Sequence, residues 1–399
     1  MAIHSKFLDA LTPSSIRSIT AKIRDKAKNG ETVISFAGGL PSSEFFPVED
    51  IKKIDAEIFS SEHGNAIQYA ASDGYDPLRE YLVEFMKRFG VEGINYKNIL
   101  ITSGSQQGLA YLSKGLITPG SVVITENPSY PGALDTFNAY GASVIGIDME
   151  EDGMSMDKLE NVLKENKNVA FIYTIADFQN PMGVSMSVEK RKRLVELAEE
   201  YDVFIVEDGP YSLLTFNGKV MPAVKSFDKY NRVIYSGSTS KTIAPGLRIG
   251  WLVADEESIQ KLVYLKMRDD LQVNNIAQRQ VYHYMKEYGF DEHLQQVIDV
   301  YRERRDVMID AIKASFPEGT KIYKPEGGLF IWLELPEGAD SMEMFDFVFQ
   351  KNIAYVPGVF FCPDGSHKNA MRLNFSTTDK DTIAKYIPIL GEMIKAYKK

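Results

Sequence analysis

The segment from Val169 to Tyr211 reads VAFIYTIADFQNPMGVSMSVEKRKRLVELAEEYDVFIVEDGPY. It holds two apolar runs rich in β-branched residues, 169–175 and 203–207, with a stretch of helix length between them. In that middle stretch Ser187 precedes apolar positions at helical spacing, the pattern of a capped amphipathic helix. A strand, a helix and a strand in this order are typical of a parallel sheet covered by helices.

The same alternation extends over most of the chain. Three more apolar runs are separated by helix-length stretches: NILIT (98–102), SVVIT (121–125) and RVIYS (232–236). Short runs of this kind predict strands that are buried on both faces. The sequence therefore predicts an α/β fold with a mostly parallel sheet covered by helices.

The pattern changes after about Asp291. The stretch from Glu292 to Pro317 predicts one long amphipathic helix, and strand-like pieces with turn residues follow it. We therefore predict a large ligand-binding domain over 48–291 and a smaller α+β domain over 292–399. An N-terminal arm, 1–47, is expected to pack against the small domain or a neighbouring subunit.

Composition limits the classes of function. The chain has 399 residues, 44% of them hydrophobic, and no segment approaches the roughly 18 apolar residues of a membrane helix. A net charge of −10 argues against a nucleic-acid partner, because duplex binding depends on clustered Lys and Arg. The basic run EKRKR (189–193) is expected to lie on a solvated helix face.

Cysteine and histidine usage points to the cytoplasm and away from a metal. The single cysteine, Cys362, excludes an internal disulfide framework, and the first residues lack the features of a secretory signal. The five histidines show no metal-ligand spacing. We therefore predict a cytoplasmic protein without a membrane partner or a catalytic metal.

Polar residues follow the predicted strands, where ligands of open α/β sheets bind. Two of them, Ser105 and Gln106, begin a predicted helix whose free N–H groups and dipole favour an anion. The others follow the next three strands: Asn180, Asp208, Tyr211, Ser238, Ser240, Lys241 and, seven residues later, Arg248. A single pocket could use all of them.

One cofactor requires this combination. Pyridoxal phosphate (PLP) needs a lysine for an internal Schiff base, an anion site for its phosphate and a carboxylate beside its ring nitrogen. Lys241 fits the amine and Asp208 the carboxylate. Asn180 and Tyr211 can hydrogen-bond the phenolic oxygen of the cofactor. The residues that can bind the phosphate are Ser105, Gln106, Ser238, Ser240 and Arg248.

Three motifs in this order, NPMG (180–183), EDGPY (207–211) and SGSTSKTIAPGLRIGW (236–251), resemble the fold-type I PLP-dependent aminotransferases of class I/II. The resemblance covers nearly the whole chain. It implies an aspartate aminotransferase-like fold, in which the large domain has a seven-stranded-type sheet.

A second group of motifs resembles one subgroup more narrowly, the 2-aminoadipate, kynurenine and multisubstrate aminotransferases. These motifs are ISFAGGLPSSEFFP (34–47), IQYAASDGYDPLRE (67–80) and FQNPMG (178–183). The chain departs from many relatives at Ser42 and Ser43, where a second proline is common after GLP. The shape of the entry loop therefore stays open.

The resemblance also implies roles for individual residues. Lys241 would carry the proton between the substrate α-carbon and cofactor C4′ as well as form the Schiff base. Tyr130 would stack on the cofactor ring, and Tyr69 would reach the phosphate of a neighbouring subunit, which implies a homodimer with shared active sites.

Three further residues are expected at the substrate. Arg372 would bind the substrate α-carboxylate through two parallel hydrogen bonds, with Asn180 beside it. Arg17 would lie near the substrate side chain, or would form only a salt bridge on a helix surface. Gly39 would let the backbone approach the substrate closely.

The expected reaction moves an amino group from an L-amino acid to a 2-oxo acid, with 2-oxoglutarate as the expected acceptor, in a ping-pong mechanism. 2-Aminoadipate, kynurenine, aromatic amino acids, leucine and glutamate all remain open as donors. Two alternatives stay open as well. One is another PLP enzyme of fold type I, such as a C–S lyase or a decarboxylase. The other is an aminotransferase-like regulator, although the 33 residues before ISFAGG hold no winged-helix pattern.

Overall fold

The computed structural model of the chain describes residues 15–397, together with Leu8, Leu11 and Pro13. The first part of the predicted N-terminal arm, 1–47, and the last two residues of the predicted small domain, 292–399, lie outside the described residues. Twelve helices and fourteen strands lie within the described part of the chain.

The strands form three sheets. They are β1 (Ile34–Ser35), β2 (Ile99–Thr102), β3 (Val122–Asn127), β4 (Ser143–Glu150), β5 (Gly153–Met154), β6 (Val169–Thr174), β7 (Phe204–Asp208), β8 (Val233–Ser238), β9 (Gly250–Val253), β10 (Lys321–Tyr323), β11 (Phe330–Glu334), β12 (Ile353–Ala354), β13 (Val356–Pro357) and β14 (Ala370–Asn374).

The helices lie between and after these strands. They are α1 (Ser15–Lys28), α2 (Val48–Ser61), α3 (Asp76–Met86), α4 (Ser105–Leu116), α5 (Pro131–Ala139), α6 (Met156–Glu165), α7 (Val188–Glu200), α8 (Glu256–Asp269), α9 (Asn275–Glu287), α10 (Phe290–Ser315), α11 (Ser341–Phe349) and α12 (Lys380–Ala396). No helix in this described part is long and apolar enough to cross a membrane.

The large sheet has the strand order β2-β9-β8-β7-β6-β3-β4-β5. The pairs β7-β8, β6-β7, β3-β6 and β3-β4 are parallel, whereas β9 runs antiparallel to both of its neighbours. The two-residue β5 pairs antiparallel with β4 and extends a seven-stranded sheet to eight. The prediction of a mostly parallel sheet is confirmed.

Alternate side chains of this sheet enter two apolar clusters, one on each face. In β6, Phe171 and Tyr173 belong to the first cluster and Ile172 belongs to the second. Leu159 of α6 and Leu194 of α7 cover the second cluster. Because helices cover both faces, the strands are apolar at successive positions, which explains the uninterrupted runs in the sequence.

Helix α7 begins as predicted, but its basic run is not solvated throughout. The Ser187 side chain accepts a hydrogen bond from the Lys190 backbone N–H, which caps the helix. Arg191 is fully buried and pairs with Asp177, and its guanidinium also donates to three backbone carbonyls. The expectation of a solvated face is therefore wrong at Arg191, because a guanidinium can be buried where its donors are satisfied.

A second, smaller sheet lies toward the C-terminus. Its four strands are all antiparallel, in the order β10-β11-β14-β13. Strand β1 pairs in parallel with β12, and the Asn374 backbone N–H donates to the Phe36 carbonyl oxygen over 2.8 Å. The N-terminal segment thus adds to the C-terminal elements, whereas the domain boundaries at 47 and 291 stay predictions. The predicted helix over 292–317 is α10, which spans Phe290–Ser315.

Candidate active site

The residues predicted from the strand ends meet at one edge of the large sheet. Asp208 is the last residue of β7 and Ser238 the last of β8, while Ser105 begins α4 just after β2. Asn180 lies in the loop after β6, and Lys241 lies three residues beyond β8. Parallel strands bring their carboxyl ends to a common edge, so residues far apart in sequence become neighbours there.

Lys241 lies inside the protein with its amino group held by backbone. Its Nζ donates a hydrogen bond of 2.7 Å to the carbonyl oxygen of Gly39. Burial, together with the positive charges of Arg372 and Arg248, lowers the pKa of Lys241 to about 8, and the charge of Asp208 opposes this shift. A substantial fraction of the amine is therefore neutral and nucleophilic near neutral pH.

Asp208 has one satisfied and one unsatisfied carboxylate oxygen. The Tyr173 hydroxyl donates to Oδ2 over 2.9 Å, while Oδ1 has no hydrogen-bond partner among the residues that the structure describes. Burial raises the pKa of Asp208 to about 6, and the Tyr173 hydrogen bond opposes the rise. A buried carboxylate oxygen without a donor fits a ligand that supplies an N–H, such as the ring nitrogen of PLP.

Arg372, on β14, is enclosed between two aromatic rings. Its guanidinium carbon lies 4.2 Å from the centre of the Phe330 ring and 5.0 Å from that of Phe361. The Nη1 group donates to Asn180 Oδ1 over 2.9 Å and Nη2 to the Ala37 carbonyl oxygen over 2.8 Å. Burial lowers its pKa to about 10, so the side chain stays cationic at neutral pH. Its Nε is buried without a partner in the described chain, which leaves a donor for an anionic ligand.

Tyr211 is buried beside the same ring. Its ring meets Phe330 edge to face, with 5.8 Å between the ring centres. Burial raises the pKa of Tyr211 well above its usual value, and its contact with Asn180 opposes that rise. The phenol is therefore protonated at neutral pH and can donate a hydrogen bond to a ligand oxygen.

The first turn of α4 and the start of β9 form a cradle for an anion. The Arg248 guanidinium lies against Gly104, where a side chain would collide with it, and donates to the Ser103 carbonyl oxygen over 3.0 Å. A Cβ at Gly250 would lie 2.8 Å from the Ser105 nitrogen. The first N–H groups of a helix lack partners within the helix, so a phosphate would find donors and positive charge together here.

Ser238 and Ser240 lie on the other side of this cradle. The Ser238 hydroxyl donates to Ser240 Oγ over 2.8 Å and accepts from the Ser240 backbone N–H over 3.1 Å. Arg248 itself has a backbone φ of 56°, which is unusual for a residue other than glycine and is often found at functional sites. The predicted phosphate residues fit the group for which they were proposed.

Gln106 and Tyr130 lie together at the edge of the cradle. Gln106 Nε2 donates to Thr136 Oγ1 over 2.8 Å, and the Tyr130 hydroxyl approaches Gln106 Oε1 at 3.5 Å. The Gln106 side chain is thus directed to α5, and its backbone N–H is the group that α4 offers to an anion. Burial raises the pKa of Tyr130, whereas the charge of Arg17 lowers it, which places Arg17 near this tyrosine.

Tyr69 is exposed within the single chain. Its exposed fraction is 79%, and the neighbouring Ile67 is 67% exposed. Tyr69 therefore has room to enter a second subunit. The described residues contain no group of three or more His, Cys, Asp or Glu side chains that could hold a metal ion.

The sequence analysis missed three polar residues behind the site: Tyr173, Glu126 and Gln179. Glu126 accepts hydrogen bonds from the Thr174 hydroxyl and from the Gln179 side chain. Glu126 follows the apolar run 121–125, so the rule that selected Asp208 would also have selected it. Tyr173 lies inside an apolar run, where nothing in the sequence distinguishes its hydroxyl from core.

Comparisons with known proteins agree with this geometry. Residues 31–388 match the family described as aminotransferase class I and II. Aromatic-amino-acid aminotransferase 1 of Thermococcus litoralis is 42% identical to this chain, covering 94% of the chain and 91% of the relative. The 2-aminoadipate transaminase of Thermus thermophilus is 37% identical, covering 91% and 90%.

A solved structure is similarly close. The kynurenine aminotransferase of Pyrococcus horikoshii, solved in complex with pyridoxamine phosphate (PMP), superposes with a TM-score of 0.94 at 40% identity, covering 100% of this chain and 98% of the other. The fold, the cofactor and the family predicted from the sequence are confirmed. The chain belongs to the class I and II aminotransferases and is a PLP-dependent enzyme of fold type I, in the subgroup of the aromatic-amino-acid, 2-aminoadipate and kynurenine aminotransferases.

Proposed function

We propose that this aminotransferase moves the amino group of an L-amino acid with an aromatic or long acidic side chain to 2-oxoglutarate, in a ping-pong mechanism. The proposal rests on the proximity of three groups. They are the amine of Lys241, with a pKa of about 8, the Asp208 Oδ1 atom, which has no donor, and the Arg372 Nε, which has no acceptor in the described chain. The charges of Asp208 and Arg372 both shift the pKa of Lys241, so the three side chains lie close together. These are the amine, the ring partner and the carboxylate receptor that transamination requires.

The cofactor, when bound, supplies an aldehyde carbon and a ring that accepts the electrons of a substrate carbanion. Asp208 Oδ1 would accept the ring N–H, and the cradle of Ser105, Ser238, Ser240 and Arg248 would bind the phosphate. Asn180 and Tyr211 would hydrogen-bond the phenolic oxygen, and Tyr130 would lie against the ring.

Lys241 would perform the proton transfers. Its Nζ would leave the Gly39 carbonyl oxygen, accept the proton from the substrate α-carbon and deliver it to cofactor C4′. A base is most effective when its pKa lies near the working pH, which a value of about 8 satisfies. Arg372 would orient the α-carbon toward this amine by binding the α-carboxylate, the group that amino donors and 2-oxo acid acceptors share.

The side-chain preference follows from the relatives and from Arg17. Relatives named for aromatic amino acids, 2-aminoadipate and kynurenine support a donor from these classes. Arg17 is exposed on α1 and close enough to lower the pKa of Tyr130, so it would meet a distal carboxylate of the donor. The backbone of Gly39 would form the adjacent wall.

We also propose a cytoplasmic homodimer with shared active sites. Ile67 and Tyr69 are exposed, and so is Leu271. The Ala70 backbone N–H donates to the Gln272 side chain, which brings these exposed residues close together. An exposed apolar patch of this kind fits a second copy of the chain, into which Tyr69 would project.

A donor panel tests the proposal. Purified enzyme with 2-oxoglutarate and L-2-aminoadipate, L-kynurenine, L-tyrosine or L-leucine should form one glutamate per donor consumed, with parallel double-reciprocal plots. Arg17→Ala should lower kcat/KM for 2-aminoadipate about fivefold more than for leucine, because an exposed ion pair contributes up to about 1 kcal/mol.

Lys22→Ala provides the matched control, because Lys22 is a cation on the same helix paired with Asp346 at the surface. It should leave the donor ranking unchanged. Equal losses for acidic and neutral donors in Arg17→Ala would rule out the role of Arg17. Release of carbon dioxide or ammonia without glutamate would rule out the proposed reaction.

A further inference from the structure

Glu126, on β3, is a buried carboxylate without a cation. Its exposed fraction is 1%, and it takes part in none of the ion pairs of the described residues. Burying an unpaired charge is costly unless several donors compensate it. Glu126 has three: the Thr174 hydroxyl and the Gln179 amide, the latter at 3.0 Å, and the backbone N–H of Ile175 at 3.1 Å.

Gln179 continues this network into a second loop. Its Nε2 donates to the Pro128 carbonyl oxygen over 2.8 Å as well as to Glu126. Its Oε1 accepts from the Met182 backbone N–H over 2.9 Å. Two buried side chains therefore join the segment that follows β3 to the turn that follows β6.

Both joined segments carry proposed active-site residues. Pro128 lies two positions before Tyr130, and Gln179 directly precedes Asn180, whose side chain accepts from Arg372 over 2.9 Å. We propose that Glu126 and Gln179 are positioning residues. By joining the two loops, they hold Tyr130 where it would contact the cofactor and hold the Asn180–Arg372 pair where it would contact the substrate. The inference rests on the roles proposed above for Tyr130 and Asn180.

The chemistry of the pair requires a carboxylate at position 126. All three of its partners donate to it, and these hydrogen bonds favour the ionised form against burial, which raises the pKa of Glu126 to about 7. Above that pH the carboxylate is a pure acceptor with room for each donor. An amide of the same shape would turn an NH2 group toward one or more of these donors. Glu126→Gln therefore breaks the network with little change in volume, and Gln179→Met breaks it from the other side.

Asp228 offers a matched control. Its carboxylate is also buried and accepts from the backbone N–H groups of Arg232 and Val233, both over 3.0 Å, and from the Lys225 side chain over 2.8 Å. These partners belong to a segment that contains no proposed site residue, and Asp228 has no such residue beside it in the sequence. Asp228→Asn therefore reports the cost of losing a buried carboxylate alone.

The experiment compares holoenzyme kinetics, the PLP dissociation constant of the apoenzyme and the unfolding midpoint Tm for each variant. Glu126→Gln and Gln179→Met should each raise the KM values of donor and acceptor and the PLP dissociation constant by about 10- to 100-fold, as loss of a supporting hydrogen bond behind a site does. In the double variant, the KM values and the PLP dissociation constant should rise no further than in the more impaired single variant, because both substitutions disrupt the same network. Asp228→Asn should lower Tm and leave these constants unchanged.

Two outcomes would overturn the inference, and they differ. If Glu126→Gln and Gln179→Met lower only Tm, as Asp228→Asn should, the pair supports the fold and does not position the site. If Asn180→Ala leaves the KM values and PLP affinity unchanged, the role of Asn180 fails first, and the inference fails with it. Should Glu126→Gln not fold, Gln179→Met decides alone, because it keeps the carboxylate and two of its donors.

Discussion

The ε-amino group of Lys241 and the guanidinium of Arg372 are held by the same short stretch of backbone. Lys241 Nζ donates to the Gly39 carbonyl oxygen over 2.7 Å, and Arg372 Nη2 donates to that of Ala37 over 2.8 Å. Strand β1, which lies just before this stretch, pairs with β12. The N-terminal segment therefore contacts both the lysine that follows β8 and the arginine of β14, and the positive charge of Arg372 helps to lower the pKa of Lys241.

The depressed pKa of Lys241 predicts how cofactor uptake depends on pH. Only the neutral amine can attack the PLP aldehyde, so the rate of PLP uptake by the apoenzyme should rise through a midpoint near the pKa of about 8. Arg372→Met removes a positive charge that lowers this pKa and should move the midpoint upward. Stopped-flow absorbance of the bound cofactor across pH measures both values. A midpoint near the usual lysine pKa in the wild type would contradict the prediction.

The hydrogen bond from Tyr173 to Asp208 predicts a second pH effect. Tyr173 stabilises the ionised form of Asp208, so Tyr173→Phe should raise the pKa of this carboxyl above its present value of about 6. A hydrogen bond to a charged group is worth about 1.5–3 kcal/mol, so PLP affinity should fall about 10- to 150-fold at acidic pH, and less at alkaline pH, where Asp208 stays ionised.

Tyr355→Phe is the control for this loss of a buried hydroxyl, because Tyr355 donates to the carbonyl oxygen of Ser341, the first residue of α11. It should leave the pH profile of PLP binding unchanged. An equal loss of affinity at all pH values in Tyr173→Phe would show that the hydroxyl does not act through ionisation of Asp208.

Arg372 is predicted to act through its forked geometry and not through charge alone. Arg372→Lys keeps a positive charge but loses the paired N–H groups of the guanidinium. A lysine ammonium cannot donate with the same geometry to both the Asn180 oxygen and the substrate carboxylate. Breaking one partner of a buried charged pair costs about 2–5 kcal/mol, so kcat/KM should fall at least about 30-fold for every donor and acceptor. Steady-state kinetics with several donors measures the loss.

The control is Arg305→Lys, because Arg305 is another buried arginine stacked on an aromatic ring, Phe216, at 4.9 Å. It should reduce Tm without this uniform kinetic loss. If Arg372→Lys impaired one donor class and left the others unchanged, Arg372 would contact the substrate side chain and not the α-carboxylate that all substrates share.

The sequence was informative about the fold wherever strands are buried on both faces. Uninterrupted runs such as 169–175 and 203–207 correspond to β6 and β7, because a sheet covered by helices needs apolar side chains on both sides. Strand β4 was missed, since its mixed sequence SVIGIDME reflects partly exposed positions near the sheet edge. Strand β9 was missed because its first residues were interpreted only as part of the lysine motif.

In the site, residues that would contact ligands were easier to predict from the sequence than residues that support those side chains. Lys241, Asp208 and Asn180 each follow a predicted strand, so their common location could be expected from the rule for open sheets. Tyr173 could not be recognised, because its ring is core and only its hydroxyl has a role. The same limit applies to Arg191, whose burial depends on carbonyl groups that the chain brings together only when folded.

The most direct test of the account is to find the lysine that binds the cofactor covalently. Reduction of the holoenzyme with borohydride, followed by proteolysis and mass spectrometry, should place the whole cofactor adduct on the peptide that contains Lys241. Lys241→Ala should show no adduct, no visible absorbance of bound cofactor and no turnover. An adduct on a different lysine, or turnover retained in Lys241→Ala, would contradict the central claim.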